Sequence, residues 1–110
     1  MALLTATNIT RAGVVSNPQA VSASDTISGS LVNSRAILEI KNGSGGSINV
    51  TFVDPGKTPA GNTGTNAAVA IAAGVTRRFR ITNAFVNSDT NLITVTFSSP
   101  TSVTWELYYA

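Results

Sequence analysis

Residues 93–110 read ITVTFSSPTSVTWELYYA, and their alternation decides the fold. Ile93, Val95 and Phe97 fall on one side of an extended chain, with Thr94 and Thr96 on the other. After the turn signal Ser98-Ser99-Pro100 the pattern resumes, with Val103, Trp105, Leu107 and Tyr109 set against Thr104 and Glu106. A period of two filled by β-branched and aromatic residues marks half-buried strands. Working outward, Ile48, Val50 and Phe52 alternate in the same way with Asn49 and Thr51. These three strands are expected to supply much of the core, with Phe52, Phe97 and Trp105 inside it.

Weaker strands are expected over Leu3 to Ile9, Arg35 to Lys41, Ala67 to Ala72 and Val75 to Ile81, with a further short one between Gln19 and Ile27. Turn residues punctuate the runs at Asn17-Pro18, Asn42-Gly43-Ser44-Gly45-Gly46, Pro55 to Gly64, Ala73-Gly74 and Asn87-Ser88-Asp89. That rhythm predicts an all-β, antiparallel β-sandwich of about eight strands, jelly-roll, Ig-like or β-tulip-like. Residues 11–30 are rich in Ser, Ala and Val without steady alternation. Residues 1–30 are therefore read as an N-terminal arm with a first strand, and 31–110 as the compact part of a single domain. In the arm, Val14, Val15 and Val21 are candidate contacts to a neighbouring subunit or partner.

The 110 residues suffice for one core, burying roughly 65% of the unfolded surface. Charged residues make up 11% of the chain, against about a quarter in ordinary globular proteins. Ser, Thr, Asn and Gly fill the surface instead, which suits packing against other protein. Seven basic and five acidic side chains leave a net charge of only +2, which does not imply nucleic-acid binding. The opening MALLTATNIT lacks the basic and apolar blocks of a signal peptide, and no run is long enough to span a membrane. The expectation is a protein made in the cytoplasm with no membrane partner.

Little of the sequence resembles catalytic machinery. VDPGKTPAG, residues 53–61, contains the Gly-Lys-Thr end of a phosphate-binding loop, but Thr51 stands where the first glycine belongs. Pro59 directly after Thr58 also opposes the helix that must follow. Calorimetry with ATP or GTP and magnesium should accordingly show no binding. No histidine or cysteine is present, which removes the common nucleophilic and zinc sets. Asp25, Asp54 and Asp89 are read in loops and Glu39 and Glu106 on strands, so a catalytic carboxylate pair would need two of them to converge. Asn87 to Asn91 echoes a calcium loop without its glycine or its closing glutamate, and is read as a tight turn. No enzyme activity, metal or cofactor is expected.

Arg77-Arg78-Phe79-Arg80 is the one concentrated charge feature. With Phe79 inward, Arg78 and Arg80 stand about 7 Å apart on the opposite face. Arg77, Arg78 and Arg80 are read as a solvated or edge-protecting face or, alternatively, as candidate contacts to an acidic protein surface.

ALLTATNITRAGV (2–14), AILEIKNGSGGSINVTFVDPG (36–56), IAAGVTRRFRI (71–81) and the ending ITVTFSSPTSVTWELYYA together resemble small head proteins of tailed bacteriophages, particularly capsid decoration or stabilisation proteins. The resemblance implies a virion structural protein on the outer capsid surface, present in the host cytoplasm during assembly. It further implies a β-sandwich or β-tulip-like domain, often a homotrimer, that binds the major capsid protein and reinforces the lattice. It carries no cofactor and no defined site residue. Two alternatives remain open: another virion component such as a head–tail connector or tail protein, and a carbohydrate-binding or adhesin module. The second predicts exposed aromatics, for which Tyr108 is the plain candidate.

Overall fold

The computed structural model describes residues 2–56, 60 and 67–110. Lys57 and Thr58 of the Gly-Lys-Thr triplet, with Pro59, lie outside the described residues. The chain forms β1 (Leu3–Leu4), β2 (Thr7–Asn8), β3 (Gln19–Ala20), β4 (Ser24–Ser28), β5 (Ile37–Asn42), β6 (Ile48–Phe52), β7 (Ala67–Ile71), β8 (Thr76–Arg80), β9 (Leu92–Phe97) and β10 (Val103–Tyr109). One sheet has the order β1-β4-β9-β6-β7. The other runs β2-β10-β5-β8, with β3 also pairing with β10. Both sheets are open, so the architecture is a sandwich and not a closed barrel.

The all-β sandwich agrees with the alternation, and two details differ from it. First, the expected strand over Leu3 to Ile9 divides: β1 lies in the first sheet and β2 in the second. The stretch from Gln19 to Ile27 divides likewise into β3 in the second sheet and β4 in the first. The chain changes sheets twice here, and each change breaks the hydrogen-bonding run of one strand. Second, the sheets are mixed, not purely antiparallel, because β1 runs parallel to β4 and β2 parallel to β10.

The boundary expected at residue 30 is also absent. β4 is an inner strand between β1 and β9, and its Ile27 is fully buried. Leu4 and Val21 belong to the same core as Val50, Val95 and Leu38. Among the described residues of this segment, the longest run outside the strands goes from Ile9 to Pro18. The core takes apolar residues from this sparse segment, whose sheet-changing strands are too short to show a period.

The inward faces otherwise follow the alternation. Ile48, Val50 and Phe52 meet Ile93, Val95 and Phe97 within one sheet, and Leu38, Ile40, Val103 and Leu107 oppose them from the other. Phe52 contacts Phe79 edge to face at 5.3 Å and stacks on Phe85 at 5.6 Å, closing one end. Trp105 departs from the expected central position: it packs against the core but is only partly buried. Its flank of β10 is covered by the two-residue β3 alone, so no long strand shields it.

At the other end, Asn42 turns inward from β5 and is fully buried. Its Nδ2 donates to the carbonyls of Gly46 at 2.8 Å and Ile71 at 2.9 Å. Its Oδ1 accepts from the Ser44 amide at 3.0 Å and the Ser44 hydroxyl at 2.6 Å. Every hydrogen-bonding position of the amide is occupied. One side chain thereby holds the turn after β5 and the end of β7 in the opposite sheet. Gly43 follows because a Cβ there would stand 2.8 Å from the Ser102 carbonyl oxygen.

Candidate interaction surface

Both strands that flank β10 on its outer edge are short. Asn8 sits beside Tyr109 in β2, and Gln19 beside Trp105 in β3, while the chain between them loops out. The loop stands off the sheet and leaves a cavity of about 630 Å³ between itself, the N-terminal residues and β10. Leu4, Val21 and Leu107, all buried, form part of its wall, and Trp105 and Tyr108 form another part.

The lining mixes polar side chains such as Thr5, Thr7, Asn17 and Gln19 with exposed apolar ones. Leu3, Ile9 and Val14 are 55%, 41% and 44% exposed, and Val15 is 89% exposed. All four border the same cavity. The Ile9 amide donates to the Tyr109 carbonyl at 2.7 Å and the Ser16 hydroxyl to Glu106, and inside the loop the Gly13 amide donates to the Thr10 carbonyl at 2.9 Å. Of the three candidate valines, Val14 and Val15 are thus presented at the surface. Val21 is not, because it is committed to the chain's own core at 8% exposure.

The arginine cluster separates on the opposite side of the second sheet. Arg78 and Arg80 share its outer face, as the alternation requires, and both are exposed. Arg78 is paired, its Nε 2.8 Å from Glu39 Oε2, and Tyr108 Oη donates to that same oxygen at 3.2 Å. Hydrogen bonding to Tyr108, and then hydrogen bonding to and attraction by Glu39, push the Arg78 guanidinium further above its ordinary value. Arg77 points the other way and reaches the Ala70 carbonyl of β7 at 3.3 Å, bridging the two sheets at their far edge. Arg78 and Arg77 hold the sandwich's own strands, and Arg80 shares the outer face with Arg78.

Two acids do converge. Glu39 and Glu106 occupy directly opposed positions of β5 and β10, where like charges repel. Arg78 offsets the charge of Glu39, and the Ser16 hydroxyl binds Glu106. Asp25, read as a loop residue, lies in β4 with its side chain on the interior face, opposite Val95. Asp54 and Asp89 do fall outside the strands. The Asn87 loop is the tight turn expected: the Asp89 amide donates to Asn87 Oδ1 at 2.9 Å and the Asn91 amide to the Asn87 carbonyl at 2.7 Å. Among the described residues no helix is long and apolar enough to cross a membrane, and no group of three metal-ligating side chains gathers.

Comparison with protein-family models, with curated proteins and with solved structures finds no match for this chain.

Proposed function

We propose that this chain is a structural binding module that docks on a larger protein assembly, in the manner of the decoration proteins of tailed-phage heads that its sequence resembles. The observation that carries the reading is the exposure of Leu3, Ile9, Val14 and Val15 around one cavity beside β10. Large apolar residues left exposed around one concavity are a usual mark of a protein–protein contact. A surface poor in charge adds to it, because few ions need to be stripped of water on docking. On a capsid lattice, modest contacts are multiplied by valency, so no deep pocket is required. The proposed partners are the major capsid protein and further copies of this chain, with a trimer as the favoured assembly and the outer capsid surface as its location. A glycan platform has less support, since Tyr108 is half-buried and its hydroxyl is engaged by Glu39.

The test is occupancy on empty heads assembled from the major capsid protein of the same genome, read by cryo-electron microscopy and co-sedimentation. The wild-type chain should decorate them at regular lattice positions. The double substitution Val14→Asp with Val15→Asp should leave the melting temperature nearly unchanged, because both residues are exposed, yet lower affinity by about tenfold or more. Absence of lattice density for the wild-type chain, or undiminished occupancy of the double variant, would defeat the reading.

A further inference from the structure

Asn42-Gly43 is the sole Asn-Gly pair in the chain, and it stands where β5 is tied to the opposite sheet. An asparagine side chain can be attacked by the backbone nitrogen of the residue that follows it. Glycine leaves that nitrogen most open, because no Cβ shields it. In the native fold both reactants are engaged elsewhere. Asn42 is fully buried, with Nδ2 donating to the Gly46 and Ile71 carbonyls and Oδ1 accepting twice from Ser44. The Gly43 amide donates to the Ser102 carbonyl at 2.9 Å. The Asn42 backbone is fixed as well, its amide on the Val75 carbonyl at 3.0 Å and its carbonyl on the Gly74 amide at 2.8 Å.

We propose that Asn42-Gly43 is a self-modification site that the native fold keeps closed and that unfolding opens, so that each prolonged opening is recorded as a permanent loss of stability. The reaction needs only water. The Gly43 amide nitrogen gives up its proton and attacks Asn42 Cγ, the bond from Cγ to Nδ2 breaks, and Nδ2 leaves with a proton as ammonia. A five-membered cyclic imide remains. Water then adds to either of its two carbonyl carbons and breaks that carbon's bond to the ring nitrogen, which takes a proton from the water. The product is aspartate at position 42, or its isomer linked through the side-chain carboxyl.

Closure follows from the bonds. For the attack, Gly43 must release Ser102 and the Asn42 amide must turn away from its partners, which leaves buried polar groups unpaired. Ile71 lies in the first sheet and Ser102 in the turn before β10, so fraying of the turn after β5 frees neither contact. The site therefore opens with the core. Its rate in the native protein is the unfolded rate multiplied by the fraction of open molecules. The product bars the way back: a carboxylate at position 42 faces the Gly46 and Ile71 carbonyls, and the isomer adds a carbon to the main chain of β5.

The full chain is incubated at mildly alkaline pH, folded or in urea, and Asn42 is followed by peptide mass spectrometry. In urea it should convert ahead of Asn33 and Asn87, the two asparagines followed by serine. Without urea the conversion should be at least about a thousandfold slower, the low end of ordinary folding equilibria. Ile27→Ala, which weakens the core away from this turn, should speed the native reaction at least about tenfold. If that variant does not fold, the wild type in sub-denaturing urea replaces it, and its rate should climb in step with the unfolded fraction. Chain converted in urea and then diluted should melt at least about 10 °C below unconverted chain, or not refold. Native and urea rates within about tenfold of each other, an Asn42 that outlasts Asn33 in urea, a native rate indifferent to core weakening, or a converted chain with the wild-type melting temperature would each refute the proposal.

Discussion

Ile27→Ala should destabilise the protein by about 2–5 kcal/mol, read as a lower urea midpoint with an unchanged slope. The side chain is fully buried, and the strand that carries it pairs with β1 on one side and β9 on the other. Truncation there removes three heavy atoms from a closed interior, and neighbours anchored in two sheets can relax only partly into the space. Val15→Ala, a dozen positions earlier, makes the informative contrast: at 89% exposure it should change stability by no more than about 0.5 kcal/mol. If residues 1–30 were a separable arm the two substitutions would behave alike. A loss below about 1 kcal/mol at Ile27 would show that β4 does not belong to the cooperative core.

Asn42→Asp should cost about 3–5 kcal/mol at neutral pH. The amide nitrogen now donates to the carbonyls of Gly46 and Ile71, so an ionised carboxylate would set a buried negative charge against two acceptor oxygens. Desolvation and those carbonyls both raise the pKa of the new carboxyl in the folded state above its unfolded value. The sign of the pH dependence follows. The unfolded chain releases this proton more readily, so the variant is least unstable below the unfolded pKa and loses stability as pH rises through the folded one. At low pH the protonated acid can still donate once, restoring one of the two bonds. Denaturation curves of wild type and variant at acid and neutral pH would reveal this convergence, and a pH-independent difference would count against the donor role of Nδ2.

Legibility in the sequence tracked strand length. β6, β9 and β10 run far enough for alternation to emerge, and their inward residues were readable one by one. The same parity put Arg78 and Arg80 on one outer face. Asn42 was not readable as a core residue, because an asparagine before glycine looks like any turn signal. Asp25, set among Ser22, Ala23, Ser24 and Thr26, looks like a loop, yet its interior position follows from the pairing of β4 with β9. Val21 and Ile27 were missed as core for a related reason: a chain that changes sheets within a few residues never completes a period. The interaction surface was half readable. Val14 and Val15 stood out as apolar residues without a strand, but the cavity behind them depends on β2 and β3 sharing one edge of β10, which local pattern does not encode.

That shared edge also governs when the protein can fold. Thr7 lies beside Tyr108 and Gln19 beside Trp105, while the opposite edge of β10 takes β5. A nascent chain must therefore wait until the residues of β10 leave the ribosome before β2, β3 and β5 find the strand that joins them. Contacts so distant along the chain place such a topology among the slow two-state folders, in the range of milliseconds to seconds. During that interval the apolar face of β5 is an unfilled template for other copies, and crowded synthesis will favour aggregation unless chaperones or rapid assembly intervene.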